Sequence, residues 1–453
     1  MNVRFDDSLP ILVDLIVEHL GESSLEAGVV LRDATGRLAF FTAASLADQN
    51  ADALAQCMRE KLGPYARPDR ILAGGNEIGA DRVLNDPHVL RISVGGRVVR
   101  LVDRRMVGAD WLRAPAPPAS PPPRFVFASL KGGVGRSTAL AVTAADLASG
   151  GLRVLAIDLD IEAPGLGPML LDDRTLPEFG VLDALVEDGL AELDDTFLAD
   201  LIGPSALGGQ GRIDVIPVLG RRSLNNPGEI LAKIARAYVE DVGPNGRIAT
   251  LLDQIRRFVD AFSDPTRYDA ILIDARAGLH ETTASALLGL GAEVFLFGLD
   301  ESQTWQGLEA LFAHLARFID PEEQTPEWPA RLTLVQGRAA ADSSLRQAFA
   351  ERCHDLYAKT LFPALADDAT ATQVPLDSFR DIAWDDGAPD SAVLPDEDRS
   401  PNPPLAVLDD ANYRNFAPLA RRDLLTHRVY AATFGDLLAA VRTAIPGPED
   451  YDQ

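Results

Sequence analysis

A doubly wound α/β domain with a mostly parallel sheet, preceded by a small α+β domain, is the fold this sequence predicts. Three observations carry the expectation. Short apolar runs alternate with helical stretches after residue 124. The segment "APAPPASPPPR", residues 114–124, divides the chain, because proline-rich stretches form extended, semi-rigid spacers. Before it, amphipathic helical patterns are mixed with paired β-rich runs.

The first unit, residues 1–113, opens with "LPILVDLIVEHLG", whose apolar residues recur at helical spacing. "AGVVLRDATGRLAFFTA" then reads as a hairpin around the turn residues of "DATGR". A second helix, "LADQNADALAQCMREKLG", precedes another β-rich pair around Gly95-Gly96. This unit shows no catalytic constellation and reads as an interaction domain.

In the second unit, residues 125–445, "RFVFAS", "RVLAID", "IDVIPV", "YDAILID", "AEVFLFG" and "RLTLVQ" are the expected strands. Several are nearly uninterrupted apolar runs, as parallel strands buried on both faces require. The helical stretches between them, such as "TALAVTAADLASGG", give the alternation of a doubly wound sheet. Residues 224–267 read as a mostly helical insertion. Residues 378–425, rich in Pro and Asp, read as a segment crossing the surface, and 446–453 as an acidic tail.

The formal net charge of −26 over 453 residues argues against a broad nucleic-acid-binding face, because phosphate contact needs clustered Lys and Arg. It also disfavours anionic membranes. No apolar run reaches transmembrane length, and acidic residues interrupt the N-terminal stretch where a leader's apolar region would lie. The two cysteines are far apart and the six histidines scattered, so no metal-ligand spacing is present. A cytoplasmic protein is expected.

The chemistry concentrates in "SLKGGVGRSTAL", residues 129–140. Gly132, Gly133 and Gly135 let the backbone approach a phosphate, and the loop lies between a strand and a helix, where amides and a helix N-terminus meet one anion. The usual phosphate-loop pattern has lysine before the Ser/Thr. Here that slot holds Arg136, and Lys131 stands at the front of the loop. Ser137 is placed to ligate Mg²⁺. "YDAILIDARAGL" ends its strand at Asp274, and "VLAIDLDIEAPGLG" ends at Asp158 and Asp160. Strand-end acids can simply cap a following loop; three of them at one sheet edge with a phosphate loop indicate a site.

The loop "LKGGVGRST" resembles the deviant Walker A motif of the ParA/MinD group of P-loop ATPases. The likeness continues through "VLAIDLDIEAPGL", "IDVIPVLG", "DAILIDARAG" and the late "RLTLVQGR" and "VPLDSFRDIAWDDGAP". It spans about residues 125–390 and covers neither the N-terminal unit nor the tail. It implies a P-loop NTPase domain that binds ATP with Mg²⁺ and dimerises when ATP-bound, with GTP left open. Lys131 would reach the partner protomer's nucleotide. Gly132, Gly133, Val134 and Gly135 would wrap the phosphates, with Thr138 near the α-phosphate. Ser137, Asp158 and Asp274 would support the metal, and Asp160 would orient the attacking water. Gln336, Arg338 and Pro375 would lie on the adenine side.

Two departures stand out. Arg136 replaces the in-loop lysine, keeping the charge on a longer planar head, so binding should survive better than fast turnover. Arg276 stands where relatives carry proline or a small residue; an exposed salt bridge and a phosphate sensor are both open for it. His280 and Glu281 are read as stabilising a helix start. The chain lacks the basic C-terminal helix of membrane-cycling relatives and the basic surface of partitioning ones. The expectation is a slow ATPase acting as a dimerisation switch. Its N-terminal domain would engage an unidentified protein partner, possible settings including a bacterial defence-type system. A nucleotide-binding pseudo-ATPase scaffold and a DNA-partitioning ATPase are the alternatives.

Overall fold

A computed structural model describes residues 3–44, 48–105, 107–188, 193–242, 248–319, 326–361 and 402–446. The chain divides into two compact units, Met1–Ala114 with Arg317–Gln324, and Pro115–Ala316 with Thr325–Gln453.

In the first unit, strands β1 (Val29–Arg32), β2 (Leu38–Phe41), β3 (Leu72–Ala73), β4 (Leu90–Val94) and β5 (Arg97–Asp103) form one sheet. Its order is β3-β2-β1-β5-β4. The expected hairpins are present, with Val29 opposite Phe41 and Val94 opposite Arg97. Period-two alternation places Val30 and Val29 in two separate apolar clusters. Helix α1 (Phe5–Leu20) supplies Leu12, Val13 and Ile16 to the first, and helix α2 (Asp48–Leu62) supplies Leu54, Met58 and Leu62. Ala80 and Val83 belong to the second. Burial on both faces explains why "VVL" and "LAFF" read as continuous apolar runs.

The second unit is built on β6 (Arg124–Ser129), β7 (Arg153–Asp158), β8 (Gly203–Pro204), β9 (Arg212–Ile216), β12 (Ala270–Ala277), β13 (Glu293–Gly298), β14 (Leu332–Ala339) and β15 (Leu405–Leu408). A separate two-stranded ribbon, β10 (Asp241–Val242) with β11 (Ile248–Ala249), lies within the predicted insertion. Among the described residues the main sheet has eight strands in the order β15-β14-β13-β6-β12-β7-β9-β8. All its pairings are parallel except β8 with β9. The doubly wound, mostly parallel α/β fold and the small α+β domain before it are both present.

Helix α3 (Arg136–Ser149) follows β6, and its apolar residues are buried nearly throughout. Helix α8 (His427–Thr443) shares a cluster with it, contributing Tyr430, Phe434, Leu437 and Val441. Between them, Tyr430 Oη donates to Asp146 Oδ1 at 2.7 Å, and Arg442 pairs with the same carboxylate. Helices α4 (Ile230–Ala237), α5 (Leu251–Ala261), α6 (Ser302–Leu315) and α7 (Ser343–Thr360) lie between α3 and α8 in the chain.

Two expectations are modified. The stretch 378–425 reads as a surface segment, yet within its described part β15 joins the sheet beside β14. Tyr413, Phe416 and Leu424 from the same stretch enter the core. Its sparse apolar residues are put to use, and the prolines around them obscure the pattern. The proline-rich segment 114–124 is hydrogen-bonded rather than free along its length. Ala116 and Ala119 donate to Leu288 O and Gly291 O at 2.7 and 2.9 Å. Prolines offer no N–H, but the alanines between them do. Among the described residues, no helix is long and apolar enough to cross a membrane.

Candidate functional site

The loop between β6 and α3 leaves the sheet at its centre, since β6 lies between β13 and β12. Gly133 and Gly135 adopt φ of +76° and +96°, left-handed conformations that a Cβ would strain. Gly132 and Gly133 are exposed and Val134 is buried, so the loop is anchored by the Val134 side chain and open along its backbone. Gly135 is the N-cap of α3, and Ala139 N donates back to Gly135 O at 2.9 Å. Ser137 and Thr138 sit in the first turn, half-buried.

The acids arrive by register. Asp274 on β12 lies directly beside Asp158 on β7 and beside Phe127 on β6, all at the C-terminal edge. Asp158 Oδ1 accepts from Asp160 N at 3.1 Å, while Oδ2 accepts from Gly165 N and Leu166 N at 3.2 and 3.0 Å. It therefore organises the turn after β7 and is fully buried. Burial, then the neighbouring Asp274, push its carboxyl up to about 8.

Arg136 holds the other two. Its Nε donates to Asp274 Oδ1 at 2.6 Å and its Nη2 to Asp160 Oδ2 at 2.9 Å. Longer contacts of 3.4 and 3.5 Å reach Ser129 Oγ and Ser137 Oγ. Burial alone would lower the guanidinium's pKa, but Asp274 and Asp160 outweigh it and raise it. Asp274 is held above its ordinary value by burial, only partly offset by Arg136. Its second oxygen, Oδ2, is buried with no hydrogen bond.

The expected metal donors fit Mg²⁺ poorly in this arrangement. Ser137 Oγ and Asp274 Oδ1 both face the guanidinium, Asp160 is paired with it, and both Asp158 oxygens accept from the backbone. Among the described residues no cluster of His, Cys, Asp and Glu is disposed to hold a metal. Of these acids' oxygens only Asp274 Oδ2 is buried without a partner, so a metal here would draw most of its ligands from water and phosphate rather than from these side chains.

Around this centre, Lys131 Nζ donates to Glu301 Oε1 of its own chain at 2.7 Å. Gln336, on β14, is buried, and Arg338 is the one non-glycine residue among those described with positive φ, +47°. Arg338 Nη2 lies 4.0 Å from where a Cβ on Gly133 would be, so this residue is beside the loop. Pro375 lies outside the described residues. Arg276 pairs with Glu162 at 2.6 Å, and Tyr238 Oη donates to the same carboxylate at 2.5 Å. His280 Nδ1 accepts from Thr282 N at 3.4 Å at a helix start. Burial, then Arg276, lower its pKa.

Three contributors were not singled out from the sequence. Gly337 admits the loop: a Cβ there would meet Val134 O at 2.3 Å. Ser129 and Glu301 engage the two loop cations. "QGR" at the end of a strand was the available signal for Gly337, since a glycine inside a strand often marks close backbone approach.

With this geometry, residues 125–317 match the family described as the CobQ/CobB/MinD/ParA nucleotide binding domain. That stretch, which is less than half of the chain, is similar to ParA/MinD-type nucleotide-binding domains. Solved structures similar to the chain include a MinD cell division protein of Aquifex aeolicus, at 14% identity over 72% of this chain and 98% of that one, with TM-score 0.41. The cell division ATPase MinD of Pyrococcus furiosus shows 18% identity over 71% and 98%, TM-score 0.39. A ParA family ATPase from Chlorobium tepidum shows 16% over 70% and 97%, TM-score 0.39. At these scores they describe likeness only. No curated protein matches the chain.

Proposed function

We propose that the ParA/MinD-type domain binds ATP at the loop 130–138 and acts as a slow, nucleotide-dependent dimerisation switch for a partner protein. The observation that carries this reading is the loop itself. Two left-handed glycines, a helix N-terminus and a buried cation converge at the sheet edge where Asp160 and Asp274 lie.

In this reading the amides of residues 132–137 bind phosphate oxygens, and Asp160 orients a water toward the terminal phosphorus. Both acids are tied to Arg136. With Oδ2 of Asp160 held by Arg136, its other oxygen would accept from water, and the paired cation withdraws charge from that carboxylate, which makes turnover slow. Gln336 and Arg338 would line the base side. Lys131 would exchange its half-exposed partner Glu301 for the phosphates of a second protomer. Cations from both chains are needed because two buried triphosphates facing one another are otherwise uncompensated. The partner would be met by the N-terminal unit, which exposes Ile78 and Val98. A cytoplasmic setting belongs to the same proposal.

Light scattering of the full chain in ATP, ADP and no nucleotide tests it. ATP is expected to give a dimer, Asp160→Ala to prolong it, and Lys131→Ala to bind ATP as a monomer. An oligomeric state that is the same in all three conditions, for parent and Asp160→Ala alike, would sink the switch and leave a nucleotide-binding scaffold. The partitioning alternative requires salt-dependent DNA binding, against which the net charge of −26 already counts.

A further inference from the structure

The cation that compensates nucleotide phosphates in this protein is set by where the Arg136 side chain reaches. Lysine in the same slot would present a compact point charge with three donors. Arginine presents a planar fork with five, and here only two donors make short bonds: Nε to Asp274 at 2.6 Å and Nη2 to Asp160 at 2.9 Å. The remaining N–H groups make at most the long contacts to Ser129 and Ser137, at 3.4 and 3.5 Å. The guanidinium is therefore fixed by two acids on two segments, 24 and 138 residues away in sequence, and its longer contacts go to Ser129 and Ser137, which flank the loop.

Those acids and the Ser137 hydroxyl are also the groups from which a divalent metal would draw its direct or water-bridged ligands. A metal with near-octahedral demands would have to enter among donors already turned to a guanidinium, and it would bring a second positive charge against the first. The two oxygens bonded to Arg136, Asp274 Oδ1 and Asp160 Oδ2, cannot serve both cations in this geometry. Nor is Arg136 easily displaced, because its removal would leave two acids facing one another in a buried site.

We propose that Arg136 takes the place of the divalent metal, so that nucleotide binds at the loop without requiring Mg²⁺. This rests on the nucleotide-binding reading above. The phosphates are met by the loop amides and by the guanidinium N–H groups that make only the long contacts to Ser129 and Ser137, while Asp160 and Asp274 hold the head group in place. Arg136 is thus a binding residue and the two acids are its positioning residues. The arrangement favours holding nucleotide over cleaving it.

Calorimetry of ATP binding to the full chain, with excess Mg²⁺ and separately with EDTA, decides the matter. The parent is expected to bind within about threefold in the two buffers, whereas Arg136→Lys is expected to lose about tenfold or more in EDTA and recover with Mg²⁺. Parent binding that is strong in Mg²⁺ and falls more than about tenfold in EDTA would overturn metal independence and leave the nucleotide reading intact. Equal metal response in parent and Arg136→Lys would remove Arg136 from the role. No binding of ATP or GTP in either buffer would overturn the nucleotide reading itself. Should Arg136→Lys fail to fold, the parent's two isotherms alone determine whether binding needs the metal. Thermal melting of the parent is the second measurement: ATP with EDTA is expected to raise Tm as ATP with Mg²⁺ does, and Mg²⁺ alone to leave it unchanged.

Discussion

Strands β7 and β12 run side by side and carry an Arg–Asp pair near each end, and the two pairs behave oppositely. At the start, Arg153 at the head of β7 pairs with Asp269, just before β12, at 2.6 Å. At the far end, Asp274 of β12 pairs with Arg136 at the same distance. The first pair is 38% and 27% exposed, the second 9% and 1%. Asp269 has its pKa lowered, chiefly by the Arg153 hydrogen bond, while Asp274 has its pKa raised by burial despite its arginine. Identical chemistry at one contact distance thus gives a settled carboxylate in one place and a frustrated one in the other. Desolvation decides the sign, not the partner.

The difference tells where function resides. Asp269 also accepts from Arg153 N at 2.7 Å, and Arg153 donates to Pro265 O, so that end is a staple with its donors used. Asp274 retains a buried oxygen without a hydrogen bond, and Asp158 beside it has a raised pKa. Groups held at such cost in a folded protein are functional candidates.

The largest effect expected follows from cutting the cation at each end. Arg136→Ala leaves Asp160 and Asp274 buried without a counter-ion and should cost about 3–5 kcal/mol of stability by chemical denaturation. Arg153→Ala, at the solvated end, should cost only about 1 kcal/mol. Similar losses for both would show that the ends do not differ in the way their exposures imply. Nucleotide affinity sharpens the comparison further, because only the first substitution is expected to abolish it.

A second, intermediate effect separates two glycines at the site. A Cβ at Gly337 would lie 2.3 Å from Val134 O, a backbone atom that cannot step aside without moving the loop. Gly133 has φ +76° but open space, its nearest neighbour being the flexible Arg338 side chain at 4.0 Å. Gly337→Ala should therefore cost about 1–3 kcal/mol and distort the loop. Gly133→Ala should cost about 1 kcal/mol, through backbone strain alone. A thermal melt showing Gly337→Ala as stable as the parent would mean the strand end does not support the loop.

The sequence made the start of this comparison visible and hid its decisive part. The strands were legible because "YDAILID" and "RVLAID" are buried on both faces and so read as unbroken apolar runs. The glycines of the loop were legible because left-handed turns leave few other residues available. Strand β15 was not, since "LAVL" is short and follows "SPNPP". The partners of Arg136 were not either: periodicity places a side chain on a face but does not say how far a guanidinium reaches. Asp158 shows both limits, being correctly placed at the sheet edge, while its occupation by three backbone amides could be seen only in three dimensions.

The smallest effect expected is one of pH, and it tests the solvated end directly. The folded-state pKa of Asp269 lies below its ordinary value, so folding favours the ionised form. Its contribution is then fully present above the ordinary carboxylate range and is lost as pH falls through the folded value, below about 4. Asp269→Asn removes that contribution while keeping an oxygen that can accept from Arg153 N. At neutral pH it should lower stability by about 0.5–1 kcal/mol, after allowing for solvent screening of a part-exposed pair. The gap between parent and variant should close as pH falls below about 4, because the parent's carboxylate is protonated there as well. Urea titrations at neutral pH and in the acid range provide the measurement. A gap that stays constant would make the contact a hydrogen bond indifferent to charge. A gap that widens would give Asp269 the sign found at Asp274, and the difference between the two ends of β7 and β12 would vanish.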